Sequence, residues 1–539
     1  MISSRILNVL FLVALPYLLL GQTVYQVGSD KQPIEPSSSI FSVALAGYGA
    51  PRDGRFSLEW IKVDNESIPF KIFDKDEQAG KRAERSEIQP VDFAVYKNKV
   101  YGLTGNNELL RYQGHGEWLR IAIQNGITYT QDIVKIGVHK DRLYGLDASG
   151  TVFIAQHKTD NNLFTHTLSI ENNKEHVLLI SLDLCGFDYA FINQVKAVIS
   201  KKHKIPASAI LINASHTHFA PVSQNWFTWG EHCQRPHPEY MDAVVKPAII
   251  ASVKNAIKSA KSATISFGRG QVEIGSNRRF PDGPYDRDVD VIKIAYQGQH
   301  TNNILFMHGC HPVFQNAGEE GVTLSANYPA VARDLINRKS GGESMFIQGT
   351  AGDVNPIDSD HRLSGEKLAN AVLDVLDNQL MEISGEIDYH LDSVNFPVKA
   401  WSVDALEKFK KENSGKEGDV GAEKNVRWAD LMLKHHREGT MPESMPVYIQ
   451  TINIGNWKLV GLSREVVSEY GLGIKALYPD KIVSVAGYTN DVASYLPTIR
   501  HIKAGVYEGD ESFFWYGQPN IFPDNVYDQI ISAVKANNR

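Results

Sequence analysis

Beyond about residue 166 the apolar positions follow two rhythms in turn. Short unbroken runs such as "HVLLISLDL" (176–184) and "AILINA" (209–214) read as buried strands. Stretches with an apolar residue every three or four positions read as helices. Asp188 stands where an N-cap belongs, ahead of a helix carrying Phe191, Ile192, Val195, Val198 and Ile199 at helical spacing. Residues 240–257 read as a helix bent at Pro247, which has no N–H to give the preceding turn. Strands at 263–270, 289–296, 302–308 and 344–349 alternate with helices at 329–339 and 365–380. A hairpin turning at Gly455 and Asn456, a final helix and the strand "KIVSVAG" follow. Alternation of this kind predicts an α/β core built on a mixed sheet.

Residues 51–165 break the rhythm. "VDFAVYKNKVYGL" (91–103) and "VKIGVHKDRLYGL" (134–146) align without gaps, an internal repeat at a 43-residue offset, in the range of propeller blades. Two copies cannot close a propeller, so the stretch reads as a small all-β insertion of blade-like hairpins. It serves either as a structural cover or as a carbohydrate- or partner-binding module. The charged, Gly-rich "EKFKKENSGKEGDVGAEKN" (407–425) reads as a solvated loop.

Composition narrows the field. The chain has 539 residues, 42 % of them hydrophobic, enough for a large core. A net charge of −7 and the lack of any basic stripe argue against nucleic acid as a partner. Arg5 followed by an apolar run from Ile6 to Leu20 has the layout of a signal peptide over 1–21, which implies a secreted or periplasmic protein. Cys185, Cys233 and Cys310 are too few for a disulfide framework, and the apolar runs beside Cys185 and Cys310 imply buried free thiols. The expected organisation is a signal peptide, the start of the core at 22–50, the β insertion at 51–165 and the rest of the core at 166–539.

The candidate chemistry lies at strand ends. "ILINASHTHFAP" leaves a strand and places His216 and His218 two residues apart, where both imidazoles can face one site. "NILFMHGCHPVF" does the same with His308 and His311. Strand ends on one edge of an α/β sheet are where sites are built. From spacing alone, metal ligation and satisfied structural histidines stay equally open. A catalytic zinc needs about three protein ligands and an open position, and Asp353 and Glu465 are carboxylates placed after strands.

Seven segments together carry a resemblance: "NASHTHFAP", "SNRRF", "GCHPV", "GTAGDVNP", "GLSREVV", "AGYTNDVASYLPT" and "VYEG". In order and approximate spacing the chain resembles the neutral/alkaline ceramidase family, and "LAGYG" (45–49) resembles that family's N-terminal Gly-Tyr turn. The resemblance implies a zinc-hydrolase core and a zinc-dependent amidase that cleaves the N-acyl bond of ceramide or a related N-acyl lipid, with peripheral contact to membranes or lipid aggregates. It implies Zn2+ held by His216, His311, Glu465 and Tyr495. His218, Arg278 and Tyr507 would take catalytic roles, and Gly47 and Asn355 would face the substrate. Two features depart from the family: Asn355 stands where the ceramidases have serine, and the family's C-terminal β-sandwich is absent. The alternative reading is an exported glycan- or partner-binding protein with an inactive hydrolase core.

Overall fold

The computed structural model describes residues 23–40, 43–46, 58–64, 68–74, 88–96, 99–106, 108–114, 116–120, 133–230, 233–313, 323–378 and 380–537. The signal-peptide reading and Gly47 lie outside the described residues.

The main sheet has nine strands: β1 (Tyr25–Pro33), β2 (Phe164–Glu171), β3 (His176–Leu182), β4 (Ile210–Ala214), β5 (Lys261–Gln271), β6 (Asp288–Tyr296), β7 (Asn302–His308), β8 (Ser344–Gln348) and β9 (Met381–Ile383). Their order is β4-β3-β2-β1-β5-β6-β7-β8, with β9 beside β5 past the point where β1 leaves it. Two neighbouring pairs are parallel, β3–β4 and β7–β8. Parallel neighbours need a crossover, and helices supply it: α1 (Tyr189–His203) joins β3 to β4, and α2 (Asn327–Ser340) joins β7 to β8. A second sheet runs β10 (Ile387–Pro397), β11 (Ser444–Ile454), β12 (Trp457–Leu462) and β13 (Ile482–Ala486). Its last two strands are also parallel, crossing through α3 (Ser468–Ala476). Ile452, Trp457 and Leu459 of this sheet share one buried core with β2, β3 and β4.

The β4 and β8 edges of the main sheet meet. The Asn213 side chain accepts from the Gln348 backbone N–H at 2.9 Å and donates to the Gln348 and Gly487 carbonyls at 3.3 and 2.8 Å. One amide thus closes two strand edges and ties both to the end of β13. The three parallel pairs thereby bring their C-terminal ends to one place.

The two repeat copies form hairpins. Asp92–Tyr96 pairs with Lys99–Leu103, and Ile133–His139 with Arg142–Asp147, each within a four-stranded antiparallel sheet. The two sheets share a core that includes Tyr101, Leu103, Leu143 and Phe153.

Two local expectations are corrected. Asp188 occupies the N-cap position of α1, but its carboxylate accepts from the backbone and side chain of Asn225 instead. The helix expected over 240–257 opens with a π-helical turn, Tyr240–Val245, which runs into an α-helix with proline in its first turn. The 407–425 loop is a helical hairpin, Val403–Asn413 and Val420–Glu438, whose ends are capped by Ser402 and Asp419. Leu406, Trp428, Met432 and Leu433 bury its inner face, so a charged surface concealed an apolar stripe.

Two outcomes follow from this packing. Truncating Asn213 to alanine orphans a buried N–H and carbonyls at the edge closure, and should cost about 2–4 kcal/mol in urea unfolding. Lys196 on α1 is 2 % exposed, and burial pulls its ammonium down from 10.5 to about 7. Between those values the unfolded chain binds more protons than the fold, so stability rises with pH over that window. Lys196→Met should therefore raise the melting temperature most at pH 7 and below, with the gain shrinking toward pH 10.

Candidate metal centre

Three strand ends supply the centre. His216 follows β4, His311 follows β7 and Glu465 follows β12. His216 holds a left-handed backbone (φ 65°), as do Arg464 (77°) and Tyr488 (52°) around it. Such strain in bulky residues persists only where the surroundings over-determine it. The Gln348 side chain helps to do so. Its amide donates to the carbonyls of Ser215 and Cys310, the residues just before the two histidines, at 3.1 and 2.8 Å.

The donor atoms converge on one carboxylate oxygen. Glu465 Oε2 lies 2.9 Å from His216 Nε2 and 3.2 Å from His311 Nε2. All three residues are at most 1 % exposed. Each histidine presents its Nδ1 to a backbone carbonyl at 2.6 Å, His216 to Cys185 and His311 to Ala351. That contact fixes the Nδ1–H tautomer and leaves the Nε2 lone pair facing the carboxylate. Two lone pairs and a carboxylate turned on one another repel unless a proton or a cation sits between them. The donor set therefore fits a metal such as zinc, which takes imidazole and carboxylate ligands.

The three groups shift one another's titration. Burial opposes a charged His216, yet Glu465 and Cys185 push it up to about 10. Burial and then Arg278 hold His311 down to about 4. Burial would raise Glu465, but His216 and His311 hold it well below the carboxylate range.

A second potential donor group shares His216: Cys185, His216 and His218. Cys185 Sγ lies 3.8 Å from the Nδ1 that its own carbonyl occupies, and burial raises the thiol. The His216–His311–Glu465 set is the more coherent. His218, partly buried, turns its Nε2 to within 3.2 Å of His216 Nε2, and burial and the other two histidines lower it well below its usual range.

Tyr495 is drawn beside Glu465 by a short parallel ribbon in which the two residues are direct partners. Its hydroxyl accepts from an Arg278 terminal nitrogen at 2.9 Å. Arg278 also donates to Asn355 Oδ1 at 3.1 Å and to Glu508 at 2.8 Å. Arg279 donates to both Glu508 oxygens, at 2.6 and 2.8 Å. Tyr507 sets its ring 5.5 Å from that of Tyr495. The structure thus gathers eight of the nine sequence candidates; the ninth, Gly47, is outside the described residues, next to the buried Ala46.

Other expectations fall away from the centre. His308 bonds to Tyr285 and to the Asp288 carbonyl. Asp353 is spent on Asn277 and on the Ser468 N–H. The three cysteines are buried and free. Sequence reading missed Tyr488, stacked 4.4 Å from the His216 ring, Glu508, which clamps both arginines, and Tyr516, which donates to Glu465 Oε1. Glu508 lies in the "VYEG" motif and could have been found there. Tyr516 sits in "FFWYG", an aromatic run with no polar signal.

No protein-family profile and no curated protein matches the chain. Among solved structures it is similar to the neutral ceramidase from Pseudomonas aeruginosa and to a ceramidase complexed with C2. Each is 15 % identical, with a TM-score of 0.55 over 70 % of this chain and 69 % of the other. The described chain is thus a mixed α/β protein of several sheets with the fold of a neutral ceramidase.

Proposed function

We propose that the chain is an exported zinc-dependent amidase, hydrolysing the N-acyl bond of ceramide or a related N-acyl lipid. The observation that carries this reading is the convergence of His216, His311 and Glu465 on one point, with both histidines held as Nε2 donors, inside a ceramidase-like fold. Zinc bound there would supply Lewis acidity toward a carbonyl oxygen and a water of lowered pKa.

The chain's own groups divide the remaining work. His216, His311 and Glu465 would hold the ion, and Tyr495 would add a fourth ligand. A tyrosine ligand is unusual: burial raises the Tyr495 phenol well above its ordinary value, and the Arg278 guanidinium on its hydroxyl works against that rise. His218, whose imidazole is held well below its usual range by burial and by His216 and His311, would take a proton from the attacking water at Nε2 and pass it to the departing amine nitrogen. Arg278 has each of its nitrogens engaged, which makes it an orienting group for Tyr495 and Asn355 as well as a positive charge near the developing oxyanion. Tyr507, raised by burial, stays protonated and can donate to substrate. Asn355 lacks a hydroxyl nucleophile, and its amide serves Arg278 and substrate orientation. Among the described residues no helix is long and apolar enough to cross a membrane, so any lipid contact through them is peripheral.

The test is fatty-acid release from a fluorescent N-acylsphingosine by the purified chain. Release should require about one zinc per chain, stop with a chelator, and fall more than about 100-fold in His311→Ala. A zinc-loaded protein with no release would discard ceramide and keep the site. No zinc and no release would favour the glycan- or partner-binding reading.

A further inference from the structure

The two oxygens of Glu465 face different partners. Oε2 meets the histidines, while Oε1 accepts from the Tyr516 hydroxyl. Tyr516 belongs to no motif of the sequence reading, and it reaches the centre from a segment held from several sides. It follows a short helical turn, Ser512–Trp515, and precedes Gly517 in a left-handed conformation (φ 62°). The carbonyl of Trp515 accepts from Thr228 Oγ1 at 2.6 Å and from Trp229 Nε1 at 2.8 Å. Gln518 donates to the Ala493 carbonyl at 3.0 Å, two residues before Tyr495. The Lys424 ammonium, on the helical hairpin, lies 4.9 Å from the centre of the Trp515 ring and 3.2 Å from Glu511. A phenol on so constrained a backbone has little freedom to leave Glu465.

We propose that Tyr516 is a positioning residue for the metal centre. It occupies Glu465 Oε1, so the carboxylate offers one oxygen, Oε2, to the ion and a coordination position stays open for substrate or water. The helical hairpin and the Trp226–Trp229 stack on which Trp515 rests hold it in place. This inference rests on the zinc reading above. Without the hydroxyl, the carboxylate is free to rotate or to bind through both oxygens, filling the open position and loosening the fixed geometry.

The experiment compares wild type with Tyr516→Phe, which keeps the ring and its packing. Zinc affinity is measured by competition with a chromophoric chelator, melting is followed on metal-free protein, and spectra are taken with Co2+ in place of zinc. The expected result is affinity weakened about 10–100-fold, an unchanged metal-free melting temperature and altered Co2+ d–d bands. Affinity and spectrum equal to wild type would overturn the role of Tyr516 alone. Should metal-free melting also fall, the spectrum decides: altered bands support the proposal and identical bands overturn it. If wild type itself takes up neither metal, the zinc reading fails and this inference falls with it, a result distinct from the first.

Discussion

The centre depends on the closure of the main sheet by Asn213. His216 and His311 leave strands at opposite ends of the sheet order, six strands apart along the path between β4 and β7, and only a sheet whose edges meet can bring them to one carboxylate. The closure uses a side-chain amide where a continuous ladder would use backbone. Gln348 repeats the device one step nearer the chemistry by gripping the carbonyls before both histidines. Buried backbone groups must find partners, so these two amides satisfy the ends of the strands and fix the distance between ligands in one arrangement.

Buried carboxylates and a half-buried arginine pair impose a second constraint. Charge in a low-dielectric interior survives only when it is paired and hydrogen-bonded. Glu508 answers the two arginines, and Glu465 answers the histidines. The link between the two groups is Tyr495, beside Glu465 in the ribbon and under the Arg278 guanidinium at the same time. The two groups also act on each other directly, as the Arg278 charge does on His311.

The parts that make this protein unlike a bare α/β core lie outside the strands that supply the ligands. The helical hairpin 403–438 buttresses the segment that carries Tyr516, with Trp428 donating to the Gln518 carbonyl. Beyond the two small sheets, Thr159–Asn161 pairs in parallel with Leu324–Ser325, and Thr217, between the two histidines of the first motif, donates to the Ser325 carbonyl. This segment thereby touches the support of the site.

Much was legible in the chain itself. Uninterrupted apolar runs such as "HVLLISLDL" mark a buried sheet, so β3 to β8, β11 to β13 and the crossover helices could be placed from pattern, whereas β1, β2, β9 and β10 were not. His216, His311, Glu465 and Tyr495 could be named as a set because the motifs that carry them resemble those of a known family. The 407–425 hairpin misled because its apolar positions are sparse among charges. His308 and His311 are equivalent in sequence, each just past one strand, and only packing turns the first toward Tyr285 and the second toward Glu465. The sequence by itself determined which residues could bind a metal and which segments carry them. The tertiary structure decided which ones meet, because edge closure, tautomer-fixing carbonyls and the phenol on Glu465 are contacts between residues far apart in the chain, and no local pattern encodes them.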